Sequence, residues 1–288
     1  MAEELAQHNG VKPTDARVER LKVLSTERVS SSMMRVTVVA ADIDDFRFQP
    51  LGFDQWARVF LPVDGAEAAD VELPHGESEG WYSRWLSMDE AIRPHIRNYT
   101  IRDARLEAHG WELDLDFVVH RSPVTGRIEG VGANWALNAQ PGAPLGMLDQ
   151  GALYESGDTT GPILILADES GLPGVEAILR TLPADTSATL VLEVPHADDK
   201  RQLPTPANVT VSWLVRDDTG PESLAGQAIL AHLPTVPLDP DGYVYAVGEA
   251  SFVLAARKHA LAAGLPKPSV DFCAYWRPAR RAKAAAAA

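Results

Sequence analysis

The chain is poor in cysteine, in cations and in long apolar runs. Its single cysteine, Cys273, excludes an intrachain disulfide framework and a Cys-ligated zinc site. That cysteine sits in the apolar run Val270–Tyr275 and reads as a small buried hydrophobe. No stretch approaches the ~18–20 uninterrupted apolar residues of a membrane span. Lys and Arg total 26 against 40 Asp and Glu, a formal net charge of −14. A field of that sign excludes nucleic acid and anionic membrane surfaces as expected partners. The eight histidines are scattered, and no pair has metal-ligand spacing, so no metal site is expected. Met1–Gly10 is polar and carries Glu3 and Glu4, unlike a secretory signal, which makes the cytoplasm the expected compartment. There is no GxSxG, Walker A or kinase signature and no readable Ser-His-Asp order. If the protein is an enzyme, a cofactor carries its chemistry.

What is present falls into two halves, as 288 residues allow. From Val18 to about Leu148 apolar residues alternate with polar ones: Leu21 and Val23, Val36 and Val38, Ala57, Val59 and Leu61, then Leu113, Leu115, Phe117 and Val119. This period of two predicts half-buried strands in an antiparallel barrel or sandwich. From Gly161 the pattern becomes strand–helix alternation. Continuous apolar runs at Pro162–Ala167, Thr189–Val194, Val209–Val215, Tyr243–Val247 and Val270–Tyr275 are separated by helical spacing over residues 172–182, 223–233 and 250–263. That order predicts an α/β domain with a mostly parallel sheet. The domains are expected over 17–150 and 161–281, with a Gly-rich polar boundary between them. Asp64–Gly80, acidic and rich in Gly and Pro, is expected to be a mobile surface loop.

Five short segments carry candidate chemistry. Arg97-Asn98-Tyr99-Thr100-Ile101-Arg102 offers a cation for phosphate, a ring for stacking and a hydroxyl for a ring heteroatom, or else a strand with a surface Arg and a packed Tyr. Asp116–His120 ends another strand. Gly130–Ala136 suits a helix start with free N–H groups for a pyrophosphate, or a Gly-rich loop with a core Trp. Ala167–Gly174 follows a strand and opens a helix where a dinucleotide turn belongs, although it lacks GxGxxG and reads equally as a capped α/β helix. Ala274–Pro278 is followed by Arg280, Arg281 and Lys283, a basic cluster or a solvated tail.

In their order, these segments resemble the siderophore-interacting protein family, ferric-siderophore reductases of the ferredoxin reductase superfamily. The resemblance runs from about Arg17 to Arg281. It is carried by RNYTIR (97–102), DFVVH (116–120), GANWA (132–136), ADESGLPG (167–174), VGEAS (247–251) and AYWR (274–277). It implies an FAD-binding, six-stranded antiparallel β-barrel followed by a three-layer nicotinamide-binding-like α/β domain. Arg97 would contact the FAD diphosphate, Tyr99 would stack on the isoalloxazine, and Thr100 would bond near N5, so Tyr99 and Thr100 are the catalytic candidates. Arg102, Asp116, Val118, His120, Gly132, Ala133, Trp135 and Ala136 complete the FAD candidates. Asp168, Ser170, Leu172, Gly248, Glu249 and Trp276 would face the nicotinamide. Arg277, Arg280, Arg281 and Lys283 would receive an anionic substrate.

The chain departs from the family pattern where Asn134 replaces a cation, Trp56 a His and Ala274 a Gly. The implied function is an FAD-dependent reductase of ferric siderophores or other anionic ferric chelates. The donor is NADPH or NADH, with ferredoxin left open, and the protein is expected to be a monomer. His196, Lys200 and Arg201 follow the second α/β strand, and family habit favours NADPH. The rival readings are a flavin-binding module without redox turnover, a general flavin reductase, or a ferredoxin-linked electron carrier.

Overall fold

The computed structural model describes residues 6–7, 10–122, 125–156, 159, 161–206, 208–219 and 224–278. β1 (Ala6–Gln7) is followed by β2 (Val18–Ser30), β3 (Met33–Ala40), β4 (Trp56–Leu61), β5 (His95–Glu107), β6 (Gly110–Val118) and β7 (Pro144–Gly151). Strands β2 to β7 close on themselves in the order β2-β3-β6-β5-β4-β7, every pairing antiparallel. The barrel is therefore the correct choice between the two all-β forms that alternation allowed. Its core is the inward set of those alternations, including Val36, Val38, Val59, Leu61, Leu113, Leu115 and Phe117. Helix α1 (Trp81–Ser87) lies on the outside, where Trp81 packs on Phe60. Helix α2 (Val131–Asn138) drives Trp135 and Ala136 into the barrel core.

The acidic stretch 64–80 differs from the expected mobile loop. Val71 and Leu73 alternate with exposed Glu72 and sink against Phe60 and Val18. Gly146 makes room for them: a Cβ there would lie 2.3 Å from Leu73 Cδ2. The segment is a strap that turns two apolar side chains inward and its charges outward.

The second half holds β8 (Ile163–Ala167), α3 (Leu172–Thr181), β9 (Ala188–Val194), β10 (Val209–Val215), α4 (Gln227–His232), β11 (Tyr243–Glu249), α5 (Ala250–Ala262) and β12 (Val270–Trp276). The sheet runs β1-β12-β11-β8-β9-β10, with β8 to β12 parallel and only β1 antiparallel. Apolar clusters cover both its faces, which is why these strands read as unbroken hydrophobic runs. Helix α4 is shorter than the 223–233 stretch its spacing suggested, covering Gln227–His232.

The two halves meet along β5. Arg102 reaches Glu176 of α3 at 2.7 Å, and Asp116 binds Arg35 through both oxygens at 2.8 and 3.0 Å and Arg201 at 2.8 Å. Arg201 also pairs with Glu176. At the other end of β2, Ser30, Ser31 and Ser32 bond Asp198 and Asp199 of the α/β half.

Candidate functional site: a junction of two strand ends

Strand β5 carries the first part of the site. Cross-strand register sets Tyr99 opposite Ala57 and Thr100 opposite Trp56, so Arg97 and Tyr99 share one face and Asn98 and Thr100 the other. The Tyr99 ring lies 4.0 Å from that of Phe117, which in turn packs on Trp135. Its hydroxyl rests on the backbone of Gly132, where a Cβ would come within 2.0 Å. Glycine there is a steric requirement. Burial pushes the Tyr99 phenol above its ordinary value, so the side chain stays neutral.

Arg97 opens into a cleft of about 700 Å³ between β5, the 62–67 turn and the N-terminus of α2; His95, Gly130, Val131, Asn134 and Trp135 also line it. The Arg97 guanidinium donates only to the carbonyl of Ile96, and among the described residues no carboxylate pairs with it. In a chain of net charge −14 an uncompensated, exposed Arg at a helix N-terminus is an anion-binding arrangement. Trp135, whose buried Nε1 has no partner, closes the base of the cleft. A free cation, N-terminal helix amides and a glycine floor fit the diphosphate of a dinucleotide.

The second part gathers at the carboxyl ends of β8, β11 and β12. Asp168, fully buried, accepts from Ser170 N and Ser170 Oγ at 2.9 and 2.5 Å, from Glu249 N at 2.7 Å and from Trp276 Nε1 at 2.9 Å. Gly248, at φ +135°, admits the carboxylate, since a Cβ there would fall 2.6 Å from Asp168 Cγ. Burial, then the neighbouring Glu169, pushes the Asp168 carboxyl up to about 7 against the pull of these donors. Asp168, Ser170, Gly248, Glu249 and Trp276, chosen from separate segments, are thus brought together. The Glu249 side chain caps α5 through Ser251 N at 2.7 Å, leaving its backbone N–H to serve Asp168. Leu172 is a core residue at the start of α3.

Other candidates lie elsewhere. Arg102 and Asp116 are taken up by the ion-pair junction between the halves and turn away from the Arg97 cleft. Arg201 belongs to the same network, and His196 pairs with Asp217 at 2.7 Å, which leaves Lys200 as the exposed cation of that segment. Val118 pairs with Met33 at the end of β6, and exposed His120 stands beside Gly130 and 3.9 Å from Glu129. Ala133 and Ala136 are buried within α2. Arg277 is exposed, and Arg280, Arg281 and Lys283 lie outside the described residues.

Sequence reasoning missed what joins the two parts. Thr100 is bonded to Tyr275 of β12. Tyr275 lies 3.4 Å from the hydroxyl of Tyr245 on β11, and Tyr245 donates to Asp54 at 2.5 Å. Gly174 of α3 completes the contact: a Cβ there would meet Asp54, Tyr245 and Thr100 at 3.2, 3.7 and 3.8 Å. Asp54 follows the turn at Gly52–Phe53 and had no motif to mark it, and Tyr245 read simply as strand core. Arg58, stacked between Trp56 and Trp81 at 5.4 and 5.0 Å, was also unmarked.

A closed antiparallel barrel with an anion cleft, its edge set against the carboxyl ends of a parallel sheet, defines a two-domain ferredoxin-reductase-like fold. Residues 22–153 match the siderophore-interacting FAD-binding domain, and residues 161–279 match the siderophore-interacting protein model. The chain is 31% identical to ferric vibriobactin reductase of Vibrio cholerae over 80% of its own length and 78% of that protein's. It is 27% identical to the NADPH-dependent ferric-chelate reductase of Escherichia coli, over 91% and 94% of the two chains. The crystal structure of a siderophore utilization protein from T. fusca superposes with a TM-score of 0.71 at 25% identity, covering 96% of this chain and 98% of that one. The chain belongs to the siderophore-interacting protein family.

Proposed function

We propose that the protein is an FAD-dependent reductase of ferric siderophores or related ferric chelates, with NAD(P)H as electron donor. The observation that carries the reading is the meeting of Thr100, at the barrel edge, with Tyr275 and Gly174, at the carboxyl edge of the parallel sheet. In open α/β sheets ligands bind beyond the carboxyl ends of the strands. A donor placed there and a flavin on the barrel edge share one junction. FAD, when bound, converts the two-electron donor into single electrons suited to Fe(III). Arg97, the start of α2 at Gly132–Ala133 and Trp135 hold the diphosphate end. Tyr99 offers its ring, and Thr100 places a hydroxyl at the flavin edge.

Asp168, Ser170 and Gly248 shape the nicotinamide side and hold Trp276 by its indole N–H. Arg277, with Arg280, Arg281 and Lys283, offsets the repulsion between an acidic protein and an anionic chelate. The iron arrives with its own chelator; among the described residues no three His, Cys, Asp or Glu side chains gather as a metal site would need. The protein acts in this reading as a cytoplasmic monomer reduced directly by nicotinamide, with ferredoxin as the alternative donor. No described helix is long and apolar enough to cross a membrane.

Stopped-flow reduction of the FAD-loaded protein by NADPH and by NADH, followed by a ferric chelate, tests this. Bleaching by a nucleotide and rapid reoxidation by the chelate are expected. A flavin that neither nucleotide bleaches would sink the nicotinamide reading, and one that no ferric chelate reoxidises would sink the reductase.

A further inference from the structure

The contact between the halves contains a buried line of hydroxyls that the proposed function does not use. It begins at Thr100, passes through Tyr275 and Tyr245, and ends on Asp54. Asp54 is wholly buried and receives three donors: Leu153 N and Tyr154 N on Oδ1, at 2.9 and 2.8 Å, and Tyr245 OH on Oδ2 at 2.5 Å. Burial pushes the Asp54 carboxyl up, and the three donors pull it back. A 2.5 Å O–H···O contact is the length of a charge-assisted bond to an ionised acceptor.

Each hydroxyl in the line has one proton, so the directions are not independent. With Asp54 ionised, Tyr245 spends its proton on Oδ2. Its oxygen then accepts from Tyr275, and Tyr275 in turn accepts from Thr100. The Thr100 proton points inward, and its oxygen presents lone pairs outward. If the far end were a donor, every proton would reverse, and Thr100 would present its own proton outward.

We propose that Asp54 is a positioning residue for the reaction: through Tyr245 and Tyr275 it orients the Thr100 hydroxyl from a distance, making Thr100 an acceptor at the flavin edge. The proposal rests on the reading above that Thr100 meets the flavin. A flavin ring nitrogen that gains a proton on reduction changes from acceptor to donor, so an outward lone pair on Thr100 favours the reduced cofactor.

Asp54→Asn is the decisive variant because it keeps the shape and reverses the line. Leu153 N and Tyr154 N still require an oxygen, so the amide oxygen stays on their side. The NH2 group then faces Tyr245 and donates to it. Tyr245 is forced to donate to Tyr275, Tyr275 to Thr100, and Thr100 outward. The flavin midpoint potential of the FAD-loaded protein, measured by dye-coupled redox titration, should fall. A tenfold loss in the ratio of reduced to oxidised FAD affinity reads as about 30 mV for a two-electron couple. Tyr245→Phe cuts the line and frees Tyr275 to donate to Thr100, so it should lower the potential in the same direction by less. On the Tyr245→Phe background, Asp54→Asn should add nothing, a coupling that a merely structural Asp54 would not produce.

Thr100→Val separates the two readings. If it leaves the potential unchanged, Thr100 does not meet the flavin, and both the placement and the proposal fall. If it shifts the potential while Asp54→Asn does not, or if Asp54→Asn acts equally with Tyr245 absent, the placement stands and the proposal falls. Should Asp54→Asn fail to fold, Tyr245→Phe and Tyr275→Phe carry the test, and an unchanged potential in both overturns it.

Discussion

Two neighbouring stretches of β5 and its partners join the same pair of domains by opposite means. Around Arg102 the junction is ionic: Arg35, Arg102 and Arg201 face Asp116 and Glu176. Around Thr100, two residues earlier, it is a file of neutral hydroxyls ending on one carboxylate. The ionic junction is saturated, since each charge already has an opposite partner, and so it has nothing left to offer a ligand. The hydroxyl junction can reverse its proton order without moving a heavy atom. Side chains of similar sequence prominence therefore separate into those that fasten the domains and those that face the chemistry.

The largest effect should come from breaking the ionic side. Asp116→Ala leaves Arg35 and Arg201 without their shared, fully buried carboxylate, a loss of about 3–5 kcal/mol. Urea unfolding of the apoprotein checks it. A variant of wild-type stability that has lost FAD affinity would instead make Asp116 a cofactor ligand and erase the contrast.

Asp168 probes the sheet edge by pH. Its carboxyl is raised from 3.8 to about 7 on folding, so between those values the folded protein holds a proton that the unfolded chain has lost. Stability from this group is present at low pH and falls as pH rises from about 4 to 7, by at most about 4 kcal/mol. Asp168→Asn should remove that portion of the decline, and the fluorescence of Trp276 should lose any transition near pH 7. An identical pH profile in the variant would assign the slope to other groups.

Arg97→Ala should weaken FAD by roughly 10–100-fold, the loss of a charge-assisted bond worth about 1.5–3 kcal/mol. Apoprotein stability should barely change, because the guanidinium is exposed and bonds only the carbonyl of Ile96. Fluorescence titration with FAD reads the first quantity and thermal melting the second. Unchanged FAD affinity would remove Arg97 from the site.

The smallest change in stability is expected at the C-terminus. Neutralising Arg280, Arg281 and Lys283 together should leave the melting temperature nearly fixed. The KM for an anionic ferric chelate should rise, and the rise should shrink as the Debye length falls from about 10 Å at 0.1 M salt to about 3 Å at 1 M. Equal KM values at low salt would make the cluster a solvated tail.

Much of this was legible in the sequence because it is written locally. Period-two alternation marked the barrel strands, and unbroken apolar runs marked β8 to β12. The turn Ala167–Ser170 and the Gly248–Glu249 pair lay at strand ends, where the order of elements alone brings them together. What stayed hidden depends on partners distant in sequence. Arg102 and Asp116 looked like ligands because Glu176 and Arg201, which occupy them, carry no motif. Asp54 was invisible because a single carboxylate after a turn gains meaning only when Tyr245, Tyr275 and Thr100 converge on it from three other strands. The 64–80 strap was misread because its acidic composition outweighed the two apolar residues, Val71 and Leu73, that pin it.

Strand β1 makes the molecule less modular than its two halves suggest. Ala6 and Gln7 pair antiparallel with Cys273 and Phe272 of β12, and the chain then returns past Gly151 to build the barrel. The first strand of the protein is thus an edge strand of the last domain. Cutting at the 151–161 linker would not yield two intact pieces. The α/β piece would expose the edge of β12 as an open template for strand addition, and self-association would follow. The strand so uncovered is the one that carries Tyr275, Trp276 and Arg277, so a truncated form would lose order at the site as well as solubility.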